Sequence, residues 1–157
     1  MVFKEFPSPS EVQGGDVAEL FELLVKLANE VYSQLGEGFT EETYQRALQI
    51  EMREAGLRFQ REVSIEIFYK GVPLGFDRPD FIVRPFDNGD RRLGVPVVVE
   101  LKAVKKLSDK HRTQAKTYLR SLPLSSDGEL KNCKHCILIN FPENGQSRVE
   151  AVLIERL

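Results

Sequence analysis

Val97-Val98-Val99-Glu100-Leu101-Lys102 places a carboxylate and an ammonium on an otherwise apolar run. Val95 to Ala103 is apolar enough to be a central strand, and along a strand successive side chains point to opposite faces. Val97, Val99 and Leu101 then share one face, while Glu100 and Lys102 share the other. Burying a carboxylate and an ammonium costs several kcal/mol per ion unless they are paired or hold a metal. The plain reading is an ion pair at a sheet rim; the sharper one is a site.

Upstream, Val63, Ile65 and Ile67 alternate with Ser64, Glu66 and Phe68, which predicts a strand. Lys70-Gly71 is a turn, and a second strand covers Val72 to Val83, bent around Arg78-Pro79. Asp87-Asn88-Gly89-Asp90 is a polar hairpin connection. If the strands on either side of it pair antiparallel, Asp80 lies near Glu100. Taken alone, Asp80 is also an ordinary turn residue after a proline. Two neighbouring carboxylates repel, so one takes a proton or a hard divalent cation neutralises both.

Two helices precede the strands. The apolar spacing Val17, Leu20, Phe21, Leu24, Leu27, Ala28, Val31, Leu35 predicts a helix from an Asp16 N-cap to Gly36. A second runs from Thr40, its N-cap, to Ala55, with Tyr44, Leu48, Met52 and Ala55 inward. Glu41 lies one turn before Tyr44 and heads the same way, although an acid in the first turn also suits the helix dipole. Downstream, Leu107 to Leu122 is a third helix, entered through Ser108 or Asp109. Its inward stripe is Leu107, His111, Ala115 and Tyr118, with Gln114 at the margin. Cys136 to Asn140 and Arg148 to Glu155 are the last strands. The order is α-α-β-β-β-α-β-β, an α/β or α+β sandwich with a mixed sheet.

The 157 residues fit one domain, 16–157, behind a flexible tail at 1–15 that contains Phe6-Pro-Ser-Pro-Ser and Gly14-Gly15. Hydrophobic residues are 41% and charged residues 29%, which excludes a disordered or fibrous chain. No apolar run is long enough for a membrane span, and no secretory signal is apparent, so a cytoplasmic site without membrane contact is expected. Two His, two Cys and no Trp exclude a disulfide framework and leave acid–base or metal work to Asp, Glu and Lys. Cys133-Lys-His-Cys136 has zinc-knuckle spacing but no second pair, so zinc would need a partner chain. A homodimer is compatible with the sequence. Gly36-Glu-Gly38 half-resembles a dinucleotide loop but follows a helix and lacks the third glycine.

Net charge is −2, so a broadly basic coat is absent. Yet Lys105, Lys106, Lys110, Arg112, Lys116 and Arg120 face only one acid, Asp109, in the segment from Lys105 to Arg120. Such a run is often a solvated helix face. Following Glu100-Leu101-Lys102 directly, it favours contact with nucleic-acid phosphates.

Together these residues resemble a known pattern. Pro79-Asp80, then Glu100-Leu101-Lys102 about twenty residues on, is similar to the PD-(D/E)XK nuclease signature. Gly38-Phe-Thr-Glu41-Glu-Thr-Tyr44 matches the name motif of the GxxExxY family, a branch of that superfamily. Gln114-x-x-x-Tyr118 resembles the helix motif of RecB-type nucleases and phage lambda exonuclease. Phe68-Tyr69-Lys70-Gly71-Val72, Val99 to Ala103 and Leu138-Ile139-Asn140-Phe141 also look like the GxxExxY family, so the likeness covers roughly 27–141.

The resemblance implies a restriction-endonuclease-like α-β-β-β-α-β core. It implies Mg²⁺ or Mn²⁺ held by Glu41, Asp80 and Glu100 with help from the Leu101 carbonyl. Lys102 would position or activate the attacking water, and Gln114 and Tyr118 would support the site or the scissile phosphate. The expected function is a metal-dependent nuclease, with DNA favoured as substrate. The rivals are a catalytically idle nucleic-acid-binding or protein-interaction module and a subunit that holds metal only for stability.

Overall fold

Apolar residues that recur every three to four positions make helices, and those that alternate make strands. In the computed structural model, which describes residues 1–157, the elements in chain order are β1 (Phe3–Phe6), α1 (Asp16–Leu35), α2 (Glu41–Glu54), β2 (Phe59–Arg61), β3 (Ile65–Tyr69), β4 (Val72–Asp77), β5 (Phe81–Val83), β6 (Phe86–Asp87), β7 (Arg92–Leu93), β8 (Val97–Lys102), α3 (Asp109–Ser121), β9 (His135–Asn140) and β10 (Glu150–Arg156). Six strands form one sheet in the order β1-β10-β9-β8-β5-β2. Only β8 and β9 pair in parallel, and α3 is the crossover between them. The mixed sheet flanked by helices is the expected fold class.

Alternation along β8 divides the core. Val97, Val99 and Leu101 pack into the cluster built by α1 and α2, with Leu24, Ala28, Tyr44, Leu48 and Met52. Val98 faces the second cluster, under α3, with Ala115, Tyr118, Leu119 and Leu122. Each fully buried large side chain contributes roughly 1.5–3 kcal/mol relative to exposure. Both faces of β8 are therefore committed, and the register of its charged residues is fixed with them.

Several boundaries differ from the sequence reading. The expected second strand is two, β4 and β5, broken at Arg78-Pro79-Asp80, where proline has no N–H for a ladder. The expected first strand begins at Ile65, leaving Val63 outside it. β3 and β4 pair with each other as a separate two-stranded hairpin. Besides β8, β5 pairs in the sheet with β2, which the sequence reading missed. It is three residues long, too short for periodicity, and Glu62 beyond it turns the chain at φ 52°.

The N-terminus is also corrected. Residues 3–6, expected within a flexible tail, form the edge strand β1, antiparallel to β10. Pro7, Pro9 and the glycine pair that follow hid a short strand whose Phe3 and Phe6 are half-buried. Asp16 is the first helical residue of α1 rather than its cap, which is Gly15, and its carboxylate accepts the Gly94 N–H at 2.9 Å. Thr40 does cap α2, accepting from Thr43 N–H at 3.3 Å. The Asp87–Asp90 connection is a hairpin turn between β6 and β7, closed by Asn88.

Asn140 ties the end of β9 to the segment leaving β8. It is fully buried; its Oδ1 accepts Val104 N–H at 2.9 Å and its Nδ2 donates to Val104 O at 3.0 Å and Glu150 Oε1 at 3.2 Å. Glu150 Oε1 also accepts Leu107 N–H at 2.9 Å. Asn140→Ala strips two backbone groups of these partners. It should lower the unfolding free energy by about 2–3 kcal/mol, since an unsatisfied buried group costs roughly 1–3 kcal/mol. Urea denaturation measures this; a change within about 0.5 kcal/mol, ordinary for surface substitutions, would show that water replaces the amide.

Candidate active site

The antiparallel register of β5 and β8 pairs Phe81 with Val99, which brings Asp80 beside Glu100. Each carboxylate is held by the other strand's backbone. Asp80 N–H donates to Glu100 Oε1 at 3.0 Å, and Leu101 N–H donates to Asp80 Oδ2 at 2.7 Å. From α3, the Tyr118 hydroxyl donates to Glu100 Oε2 at 2.7 Å. Lys102 Nζ lies 3.7 Å from the same oxygen, an ion pair along one face of β8. Glu100 is buried and Lys102 nearly so.

The electrostatics follow from this crowding. Burial, then the charge of Glu100 and the hydrogen bond between the two carboxyls, push Asp80 up to about 8, although Leu101 N–H and Lys102 act the other way. Burial and then Glu100 hold the Tyr118 phenol well above its ordinary value, so it is a donor throughout the working range. Glu41 is raised by burial and by Asp80, against a lowering by Lys102. His111 is lowered by burial and by Lys102, Lys110 and Arg112; its Nδ1 accepts Ser108 N–H at 3.0 Å, so it caps α3 as neutral imidazole.

Asp80, Glu100, Lys102, Tyr118 and the Leu101 backbone are therefore brought together. Glu41, in the exposed first turn of α2, is within electrostatic reach of Asp80 and Lys102 but outside their hydrogen-bonded group. Gln114 is exposed, one turn before Tyr118, and makes no hydrogen bond to the carboxylates. The basic run does not act as one patch. Arg112 and Lys116 each reach Glu5 of β1 at 3.1 Å, and Lys116 and Arg120 lie over the Phe3 ring at 5.8 and 5.1 Å. Lys105, Lys106 and Lys110 remain exposed near the end of β8, without ion pairs. Cys133 and Cys136 are buried in the core under α3; desolvation lifts Cys133 to about 11 and Cys136 well above its usual value.

The sequence reading missed Gln45. It is buried, its Nε2 donates to Asp80 Oδ1 at 3.1 Å, and its Oε1 accepts from Arg61 Nη2 at 2.8 Å. With Leu101 N–H on the other oxygen, both Asp80 oxygens are oriented. A signal existed: Gln45 follows Glu41 by four and precedes Leu48 by three, so it shares their helical face. Nothing local marks Arg61.

No three His, Cys, Asp or Glu side chains converge into a closed ligand cluster. Mg²⁺ needs fewer, since it takes one or two carboxylates and keeps several waters. Asp80 and Glu100 supply hard oxygen donors whose mutual repulsion a cation relieves, so these residues fit such an ion.

Asp80 stays protonated in the folded chain up to about pH 8, whereas it ionises near pH 4 when unfolded. Between these values the fold binds the extra proton, so stability falls as pH rises through that window and levels off above it. Melting temperatures in EDTA from about pH 4 to about pH 9 should show this fall, and Asp80→Asn should reduce it. An identical pH profile in the variant would assign the proton elsewhere.

No curated protein matches the chain. A family model described as the PD-(D/E)XK nuclease superfamily matches residues 18–152, from α1 into β10. That superfamily generally hydrolyses phosphodiester bonds and typically uses divalent metals. The match spans both strands of the acid pair, Lys102 and the Tyr118 helix; this protein belongs to the PD-(D/E)XK nuclease superfamily.

Proposed function

We infer that the protein is a Mg²⁺- or Mn²⁺-dependent nuclease acting on DNA, in the GxxExxY branch of its superfamily. The observation that carries this reading is the pair of buried Glu100 and half-buried Asp80, with Lys102 on the Glu100 face. Support for the branch comes from how its name motif is used. Gly38 takes φ 97°, a conformation that favours glycine. The Tyr44 hydroxyl donates to Gly36 O at 2.6 Å and accepts Phe39 N–H at 3.4 Å, while its ring stacks on Phe141 at 4.2 Å. Tyr44 thus pins the loop that delivers Glu41.

Asp80 and Glu100, with the Leu101 carbonyl and Glu41, are the residues that would hold the metal. When bound, it supplies Lewis acidity toward a phosphoryl oxygen and lowers the pKa of water. Lys102 offers a positive charge to the negative charge that develops on phosphorus oxygens. Tyr118 and Gln45 keep Glu100 and Asp80 oriented. Lys105, Lys106 and Lys110 give the nucleic-acid backbone a cationic approach beside β8. No helix is long and apolar enough to cross a membrane.

Lys102→Ala should abolish nicking of plasmid and linear DNA in Mg²⁺ or Mn²⁺, with folding intact by circular dichroism. Undiminished cleavage would remove Lys102 from the mechanism. Binding of DNA by the wild type without cleavage in either metal would leave the idle binding module. In a Mn²⁺ titration followed by thermal unfolding, Glu41→Gln should need more metal for the same stabilisation. Equal curves would return Glu41 to a helix-start acid.

Duplex affinity should fall with salt at a log–log slope of about −0.9 per phosphate contact. Replacing Lys105, Lys106 and Lys110 by Glu should flatten that slope. Replacing Arg112 and Lys116 by Gln should lower the melting temperature by freeing β1 and leave the slope in place. The reverse pattern would put the nucleic acid on the β1 side of α3.

A further inference from the structure

Ser108 and His111 share the turn that starts α3. The Ser108 N–H donates to His111 Nδ1 at 3.0 Å. A backbone N–H can only donate, so Nδ1 is the bare nitrogen and the ring proton sits on Nε2. His111 thus presents an N–H donor on the far side of the ring from the cap. No group of the protein accepts from it, and the ring is only half-buried.

The choice of residue is informative. His111 is the third residue of α3. Glu or Gln is the usual partner of a Ser cap at that position, and one of its oxygens accepts the same N–H. A carboxylate there would also suit the helix dipole. Histidine does the capping with one nitrogen and holds a second in a fixed direction. It also keeps an anion away from a cationic neighbourhood. Burial, then Lys102, Lys110 and Arg112, hold its proton affinity down, with Glu150 acting the other way. A neutral donor among cations suits the oxygen of an incoming anion.

Position ties this donor to the acid pair. α3 is the crossover from β8 to β9, so it runs back along the sheet from the Lys102 end. Ala115 and Tyr118 follow His111 on the same helical face and are buried. Tyr118 reaches Glu100 at 2.7 Å. His111 lies two turns earlier, about 10 Å along the helix at 1.5 Å per residue, toward Lys102. Hydrogen bonds fix the start of the helix there. Asn140, the register partner of Lys102, donates to Glu150, and Glu150 accepts the Leu107 N–H.

We propose that His111 Nε2–H donates to a phosphate oxygen of the bound strand, at the phosphate next to the scissile one on the Lys102 side. Lys102 then serves the phosphate that is cut, and His111 holds its neighbour so that the strand stays in register with the acid pair. This rests on the nuclease reading and adds a substrate contact to it.

The chain has two histidines, so a long-range proton–nitrogen spectrum shows two rings, and His111→Glu identifies the signals of His111. In EDTA the free ring should show the Nε2–H form. Saturating duplex DNA should shift its Nε2 signal and leave His135 in place. The second measurement is Mn²⁺-dependent cleavage at one bond of a duplex in which single phosphates are replaced in turn by methylphosphonate, which lacks the charge. Replacement at one phosphate beside that bond should slow wild type about tenfold, the scale of one hydrogen bond to a charged group. His111→Glu keeps an acceptor for the Ser108 N–H, so its melting temperature should not fall. It lacks the donor and repels phosphate, so the same replacement should speed its cleavage relative to its own unmodified duplex. His111→Ala should lose the penalty without gaining speed.

An unmoved His111 ring under saturating DNA overturns the contact. So does a methylphosphonate pattern that is the same in wild type and both variants, and His111 is then a helix cap alone. If wild type cleaves plasmid in Mn²⁺ while these outcomes fail, only the His111 contact falls. If wild type neither binds nor cleaves nucleic acid, the nuclease reading falls with it.

Discussion

Two carboxylates on adjacent central strands are what the rest of this molecule is arranged around. Asp80 and Glu100 are held beside each other by backbone N–H groups from opposite strands. Buried like charges would separate, or one would be discarded, unless the surroundings compensated them. Here compensation is partial: a proton on Asp80, the Tyr118 hydroxyl, the Lys102 ammonium and the Gln45 amide. The residual imbalance is what makes the pair receptive to a cation, and the hydrophobic packing on both faces of β8 is what keeps the pair from relaxing.

Those supports come from elements far apart in the chain. Gln45 is on α2, Arg61 on β2, Tyr118 on α3, and all reach the seam between β5 and β8. The crossover from β8 to β9 puts α3 over the Glu100 face, while α1 and α2 cover the other. Asn140 then fixes the segment that leaves β8 after Lys102. Cations are also divided by location. Those on one flank of α3 hold β1 in place through Glu5 and Phe3, which leaves the three near the end of β8 without a contact to β1.

The β3–β4 hairpin shows a different balance. Ile65 contributes to the core under α3, while Tyr69, Val72, Leu74 and Phe76 remain in water at a cost in apolar exposure.

Much of this was legible in the sequence because it depends on short-range periodicity. Alternation along Val97–Lys102 put Glu100 and Lys102 on one face, and the Asp87–Asp90 hairpin connection implied Asp80 as the carboxylate neighbour. Helical spacing placed Tyr118 inward, and Thr40 marked the start of α2. Other features depended on which distant strands pair, and no local pattern encodes that. β2 is three residues, β1 is masked by prolines, and the use of Arg112 and Lys116 follows from Glu5, more than a hundred residues earlier. Local order along the chain sets the kinds of group available and their sequence along each element. Packing between distant segments settles that Arg61 holds Gln45 on Asp80 and that half the basic run serves the fold, because each depends on through-space contact between segments that the chain keeps apart.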